Sequence, residues 1–425
     1  MGVSKMNLEF FSGGAGCGKT FQLMARLTDS LDEIPLLDGE KVLALTFMHG
    51  SRRRLDERLA SVKLLARRFD CIVLDSFALR VVTRWRSLLS ALGVPQPGPQ
   101  EYEKICEAAA ELLAHDFVAE WVARTYPLII LDEAQDLDES RLRIIQCLAA
   151  KVRMLVAADE FQCLVEDLRP NPAVQWLASV SMGTVLTQPR RTSIPELLDA
   201  ATAVRAGQAP VSKGAFRIFP TSNFGLAGSF LANAIGWSQG RHVALITTST
   251  AGKFAHSVVT WVSERTTTKG NGPYEIIWEQ SEEKAARELV ISLALKKEMS
   301  APEVLEAVRP AGDFRLTDDV LRWLETQRRT KDRIAFRKEE IIKAIEWSFN
   351  MRKHSRIVSH NKRIATTVHG AKNREFDEVV LLWPGNTQGD ADQKRRLLYN
   401  AITRARRRCI VLVQVKAALA LPPFA

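Results

Sequence analysis

The run Gly13-Gly14-Ala15-Gly16-Cys17-Gly18-Lys19-Thr20 fits the pattern G-x-x-x-x-G-K-[ST]. Glycines let a backbone curl until its N–H groups converge on phosphate oxygens, and a following helix adds its N-terminal dipole. Lys19 would then neutralise charge on the β- and γ-phosphates, and the Thr20 hydroxyl would ligate Mg²⁺. A second run, Leu128-Ile-Ile-Leu-Asp132-Glu133-Ala134-Gln135-Asp136, ends an apolar stretch in carboxylates. Asp132 suits the metal and Glu133 suits a general base toward water. Taken alone, those acids fit a helix N-terminus equally well. Downstream of a phosphate loop, the catalytic reading prevails.

Such residues need a scaffold that brings them to one edge. Leu8-Glu9-Phe10-Phe11 leads into the glycine loop, and a helix is expected over Thr20–Leu31. Val42–Phe47, Cys71–Leu74, Leu128–Leu131 and Met154–Ala157 read as strands, with helices from Ser51, from Ser76 and over Ser140–Ala149 between them. Short apolar strands alternating with helices predict α/β architecture, a parallel sheet covered on both faces. From Arg84 to Arg124 the rhythm becomes purely helical, punctuated at Pro95–Pro99, which predicts a helical insertion. The alternation resumes near Met182–Thr187, with strands expected at Val243–Thr247, Val379–Trp383 and Ile410–Gln414. The charged stretch Ser281–Asn350 reads as a second insertion, with helices over Glu282–Lys296, Thr317–Arg329 and Arg337–Phe349. Two lobes result: 1–185 with an insertion over about 84–124, and 186–425 with one over about 281–354.

At 425 residues, 46% apolar and 25% charged, the chain has the composition of a globular protein of more than one domain. No apolar run approaches the roughly 18 residues that cross a bilayer, and no export signal is visible, so the expected location is the cytoplasm without membrane contact. The six cysteines form no Cys-x-x-Cys pair, which points away from zinc and from a disulfide framework. A formal net charge of +10 favours polyanionic partners but does not by itself identify one.

Further motifs follow in chain order. Asp132-Glu133-Ala134-Gln135-Asp136 is similar to motif II of UvrD/Rep-like superfamily 1 helicases. Val42–Phe47 resembles motif Ia, Leu74-Asp75-Ser76-Phe77-Ala78 motif Ib, and Ala158-Asp159-Glu160-Phe161-Gln162 motif III. Gln188-Pro189-Arg190-Arg191-Thr192 resembles motif IV, Thr367–Phe376 motif V, and Leu398–Ala405 motif VI. The resemblance implies two RecA-like lobes with ATP between them and single-stranded nucleic acid across their top. It assigns Gln162 to sensing the γ-phosphate or the attacking water, Arg191 and Arg404 to arginine fingers, and Glu375 to the ribose. Thr46, Phe47, Ser76, Phe77 and His369 take positions that face the strand. Arg52–Arg54, Arg406–Arg408 and the run Arg352, Lys353, Arg356, Lys362, Arg363 offer further phosphate contacts, with a solvated basic face as the plainer reading.

The pattern is also departed from. Only twelve residues precede Gly13, with no counterpart of the upstream glutamine motif that reads adenine. Arg190 stands where an adenine-stacking aromatic is usual, Val165 and Asp167 where base-stacking aromatics are usual, and Trp176 is a candidate substitute. Asp75 replaces a histidine and Asn373 a glycine. The expected function is a DNA-stimulated ATPase that translocates 3′ to 5′ on single-stranded or partly duplex DNA; the short insertions make translocation a safer expectation than strand separation. The alternative is an ATP- or DNA-gated regulatory subunit of a nuclease-containing repair or antiviral defence complex. A small-molecule kinase would need neither Arg191 nor Arg404.

Overall fold

The computed structural model describes residues 7–47, 49–98, 101–279, 282–311, 314–331, 333–352 and 363–425. Pro99, Ser281, Lys353, Arg356 and Lys362 of the segments singled out above lie outside the described residues. The chain forms two compact units, one from residues 1–278 and 361–425 and one from 279–360.

The larger unit holds two six-stranded parallel sheets. The first uses β1 (Leu8–Gly13), β2 (Val42–Thr46), β3 (Phe69–Val73), β4 (Leu128–Leu131), β5 (Arg153–Ala158) and β6 (Thr184–Leu186), in the order β3-β2-β4-β5-β1-β6. β2 and β4 are buried at every position, as a sheet covered by helices on both faces requires. In register, Ser12 pairs Ala158, Leu131 pairs Val156 and Leu45 pairs Leu131. The carboxyl ends of neighbouring strands therefore deliver Gly13, Thr46, Asp132 and Asp159 to one edge, the side where parallel sheets take ligands. The helical insertion comprises helices Arg86–Ala91, Tyr102–Leu113 and Asp116–Thr125, which continue the core of this sheet through Leu89, Ile105, Ala109, Leu112 and Val118.

The second sheet uses β7 (Phe216–Pro220), β8 (Val243–Thr247), β9 (Ile277–Trp278), β12 (Ile364–Thr367), β13 (Phe376–Trp383) and β14 (Ala405–Val413), while β10 (Glu298–Ser300) and β11 (Ala335–Arg337) belong to the smaller unit. Its order is β7-β14-β13-β8-β12-β9, all parallel. Helices Pro195–Arg205, Phe224–Trp237, Phe254–Glu264 and Ala391–Ile402 flank it. The molecule is thus α/β with two RecA-like lobes. Among the described residues no helix is long and apolar enough to cross a membrane.

The smaller unit has its own core of Val304, Val308, Leu316, Val320, Phe336, Ile341 and Ile345. Its helices run Glu282–Ser292, Ala301–Val308, Phe314–Lys331 and Lys338–Arg352. The purely helical expectation for this stretch is corrected by the antiparallel pair β10–β11, with Met299 opposite Phe336. Three-residue strands are too short to carry a readable alternation.

Candidate nucleotide site

The glycine loop joins β1 to the helix Lys19–Glu33. Gly16 and Gly18 have φ of 81° and 80°, a left-handed conformation in which a side chain is strained. Space forbids one as well, since a Cβ at Gly16 would lie 2.8 Å from the Arg191 Cβ and one at Gly18 2.6 Å from the Arg190 Cδ. The Lys19 ammonium donates to the Gly13 and Gly14 carbonyls at 2.9 and 3.1 Å and lies 3.7 Å from Asp159 Oδ2.

From the next helix position the Thr20 hydroxyl donates to Asp132 Oδ2 at 2.9 Å, and the Glu133 N–H donates to Asp132 Oδ1 at 3.0 Å. Burial, then the neighbouring Glu133, pushes the Asp132 carboxyl above its ordinary range. A buried carboxylate in that condition, beside a hydroxyl, offers the hard oxygen donors that suit Mg²⁺ when phosphates complete the shell. Glu133 stands at φ 63°, a left-handed conformation rare for a glutamate, and accepts from Gln135 Nε2 at 2.5 Å. Strain of this kind persists where surrounding structure enforces it, commonly at reacting positions.

The second lobe closes over the loop. The backbone N–H groups of Arg190 and Arg191 donate to the Gly16 carbonyl at 2.7 and 3.2 Å. The Arg190 guanidinium lies 4.1 Å from the ring centroid of Phe21, an exposed aromatic one position beyond Thr20. Arg191 donates to Glu375 Oε1 at 2.9 Å and to the Thr403 carbonyl at 2.7 Å. Burial works to raise the Glu375 carboxyl, yet Arg191 and Arg406 hold it below its ordinary value. Glu375 and Arg404 immediately precede β13 and β14, whose first residues Phe376 and Ala405 pair, which is why motifs V and VI meet. Asn373 takes φ 61°, which explains asparagine where glycine is usual, because asparagine tolerates the left-handed region best after glycine.

Arg404 is 1% exposed and, among the described residues, pairs with no carboxylate. It donates to Gln162 Oε1 at 3.2 Å, to Thr403 Oγ1 at 3.1 Å and to the Asn400 carbonyl at 3.0 Å. Burial, then Arg191, pulls its pKa down to about 9, so it remains a cation at neutral pH. The structure thereby brings Gln162, Arg191 and Arg404 to the same junction as Lys19, Thr20, Asp132 and Glu133.

Five further groups belong to this junction. Asp159, whose side chain is fully buried, accepts from Arg205 Nη1 at 2.8 Å and from Gln162 Nε2 at 2.8 Å. Burial alone would raise its carboxyl; Lys19 and Arg205 reverse this and hold it below the ordinary range. The Tyr399 hydroxyl accepts the Ala15 N–H at 2.6 Å and an Arg205 N–H at 3.1 Å. Lys372 reaches both oxygens of Asp136 at 2.6 and 2.5 Å, a pair only 9% and 14% exposed that joins the lobes. Asp159 and Tyr399 lie inside quoted motifs and could have been singled out. Arg205 reads as an ordinary arginine in the last turn of a helix, and nothing in the sequence marks it.

The expected strand-facing residues divide. Ser76 is exposed on the helix Leu74–Arg84, His369 is exposed just beyond β12, and Phe47 is half-buried against the first core. Phe77 is corrected: it is 3% exposed within the first-lobe core, because its helix turns that face onto the insertion. Thr46 is likewise corrected: it is fully buried at the end of β2, and among the described residues its hydroxyl has no hydrogen-bond partner. Trp176 packs against the first core, leaving exposed Val165 and exposed Asp167 at the stacking positions. Arg53 pairs with Glu57 and Arg406 with Glu375, and the Arg363 guanidinium lies 4.6 Å from the Tyr274 ring centroid.

Residues 3–166 match the AAA domain family, and residues 364–412 match the family of the UvrD-like helicase C-terminal domain. No curated protein matches the chain. A crystal structure of arterivirus nonstructural protein 10, a helicase, aligns at 10% identity and a TM-score of 0.41, covering 99% of this chain and 63% of that one. A complex of that arterivirus helicase with DNA aligns at 10% identity and 0.39, covering 98% and 63%. The chain thus spans 63% of the length of these solved structures.

The Lys372–Asp136 contact is open to a direct stability test. Removing one partner of a buried pair leaves an uncompensated charge, so Lys372→Met is expected to cost about 3–5 kcal/mol in urea unfolding. Adding Asp136→Leu should restore most of that loss, and simple additivity of the two losses would refute the pairing.

Proposed function

Because the chain belongs to the UvrD/Rep-like superfamily 1 helicases, we propose that it hydrolyses ATP between its two lobes and uses the cycle to translocate 3′ to 5′ along single-stranded DNA. The working halves are 1–185 and 186–425. The observation that carries this reading is Arg404, a fully buried cation without a carboxylate partner among the described residues, set against Gln162 of the other lobe. A buried, unpaired cation is costly, and an anion that gathers charge at the junction is what it would stabilise.

In this reading the amides of Gly14–Gly18 and Lys19 bind the phosphates, and Arg190 stacked on Phe21 forms a flat cationic platform for the base. Thr20 and Asp132 hold Mg²⁺, which supplies charge neutralisation to the β/γ-phosphates. Glu133 takes the proton of the attacking water, and Gln162 orients that water. Arg191 and Arg404 stabilise charge on the transferring phosphoryl group, a role worth roughly 10³–10⁵ in rate where arginine fingers are known. Glu375, between Arg191 and Arg406, is positioned for the ribose. Ser76, Phe47 and His369 receive the strand.

A second reading, an ATP- or DNA-gated subunit serving a nuclease partner, draws support from Val165 and Asp167, which present no aromatic where bases would stack. Steady-state hydrolysis with and without oligo(dT) separates the two. Turnover should rise strongly with the oligonucleotide and fall about 10²–10⁴-fold in Glu133→Gln, the usual worth of a general base. Slow turnover indifferent to DNA, with nucleic-acid binding retained, would favour the gated subunit.

A further inference from the structure

The helix Leu74–Arg84 buries Phe77, Ala78, Val81 and Val82, none more than 3% exposed. Its other face exposes Ser76, Arg80, Thr83 and Arg84, positions spaced i, i+4, i+7 and i+8 and therefore aligned on one stripe. After a break at Trp85 the short helix Arg86–Ala91 adds exposed Arg86 and Ser87. These six side chains, with exposed Leu79, line an open groove of about 790 Å³.

No carboxylate lines the groove. Arg80 lies 3.7 Å from Asp70, but Asp70 already accepts the Tyr126 hydroxyl at 2.5 Å and lies 3.4 Å from Lys41. The Arg84 guanidinium sits 5.9 Å from the Trp85 ring centroid, and among the described residues neither Arg84 nor Arg86 forms an ion pair. A merely solvated basic face would be expected to interleave acids, as the exposed Arg53–Glu57 pair does on the helix His49–Ala60. Here three guanidiniums and three hydroxyls share the groove with Leu79, and guanidiniums with hydroxyls are a donor set that proteins use to position a phosphate backbone.

We propose that this groove holds the phosphodiester backbone of a single strand where it continues past Ser76, with Arg80, Arg84 and Arg86 as its phosphate contacts. The assignment to a single strand rests on the reading of Ser76 given above, since the groove continues the helix face that carries it. Sequence would be read weakly or not at all, because these groups address phosphates and not base edges.

The test is fluorescence anisotropy of labelled oligo(dT) over a salt series, with Arg84→Glu/Arg86→Glu against wild type. Loss of two phosphate contacts should weaken binding about tenfold or more at low salt and reduce the slope of log K against log salt by about 1.4. Hydrolysis without nucleic acid should be unchanged, because neither residue touches the nucleotide site. Lys213→Glu/Arg217→Glu, an equal charge change on exposed second-lobe residues, should leave the slope near wild type. Arg84→Gln/Arg86→Gln, which avoids reversed charge, should give the same slope change with a smaller loss of affinity. Wild-type binding with an unaltered slope in both groove variants would overturn the proposal, as would a loss confined to duplex probes. Failure of the wild type itself to bind any oligonucleotide would instead overturn the translocase reading.

Discussion

The Asp159 carboxylate has no solvent-exposed side-chain surface, and the lobes are joined around it. Lys19 approaches it from the glycine loop at 3.7 Å and Arg205 from the second lobe at 2.8 Å, while Gln162 donates from its own segment. Desolvating a carboxylate is costly unless cations and hydrogen bonds replace the lost water. Here the replacements come from Lys19, Arg205 and Gln162. The strand that carries Asp159, β5, lies between the loop strand β1 and the carboxylate strand β4. That order places one buried acid between the glycine loop and the segment carrying Asp132 and Glu133.

Several groups from the second lobe land on the short segment that follows Asp159. Arg396 donates to the Glu160 carbonyl and lies 4.9 Å from the Phe161 ring centroid, and Tyr399 meets that ring edge-on at 5.1 Å. Gln393 donates to the Leu164 carbonyl at 3.0 Å, and Arg404 reaches Gln162. The junction therefore includes many directional polar contacts beside the apolar packing of Ala15, Phe161 and Leu164 against the second-lobe core. Such contacts are specific in geometry yet modest in net energy, so they suit a joint that opens and closes better than a fused core does.

The α/β class, the glycine loop and the order of the carboxylate and arginine motifs were legible in the sequence, because each depends on local pattern or on fixed spacing. Less legible was which face of a helix meets the core. Phe77 sits beside Ser76 in a motif, but only the packing of the insertion shows that one turns inward and the other outward. Thr46 fails for a similar reason: the last residue of a buried strand still lies under the helices. Arg205 was invisible, since its partner Asp159 is 46 positions away and a long-range ion pair leaves no periodic trace. The pair β10–β11 escaped because three residues of strand carry no readable period.

The Ala15 N–H has one hydrogen to give, and the Tyr399 hydroxyl takes it at 2.6 Å. A phosphate that uses that amide must displace the phenol, and the phenol is bonded in turn to Arg205, which holds Asp159. The space beside Ala15, Gly16, Arg191 and Thr403 amounts to about 30 Å³, room for about one water. In the proposed reading, a phosphate at this loop exchanges lobe-to-lobe bonds for lobe-to-phosphate bonds at the same donors, and such an exchange lets a ligand bias a joint that static packing would hold fixed. On that reading the coupling between hydrolysis and movement needs no remote pathway, because Ala15, Lys19, Arg205 and Tyr399, grouped around the glycine loop, are among the residues that hold the lobes together.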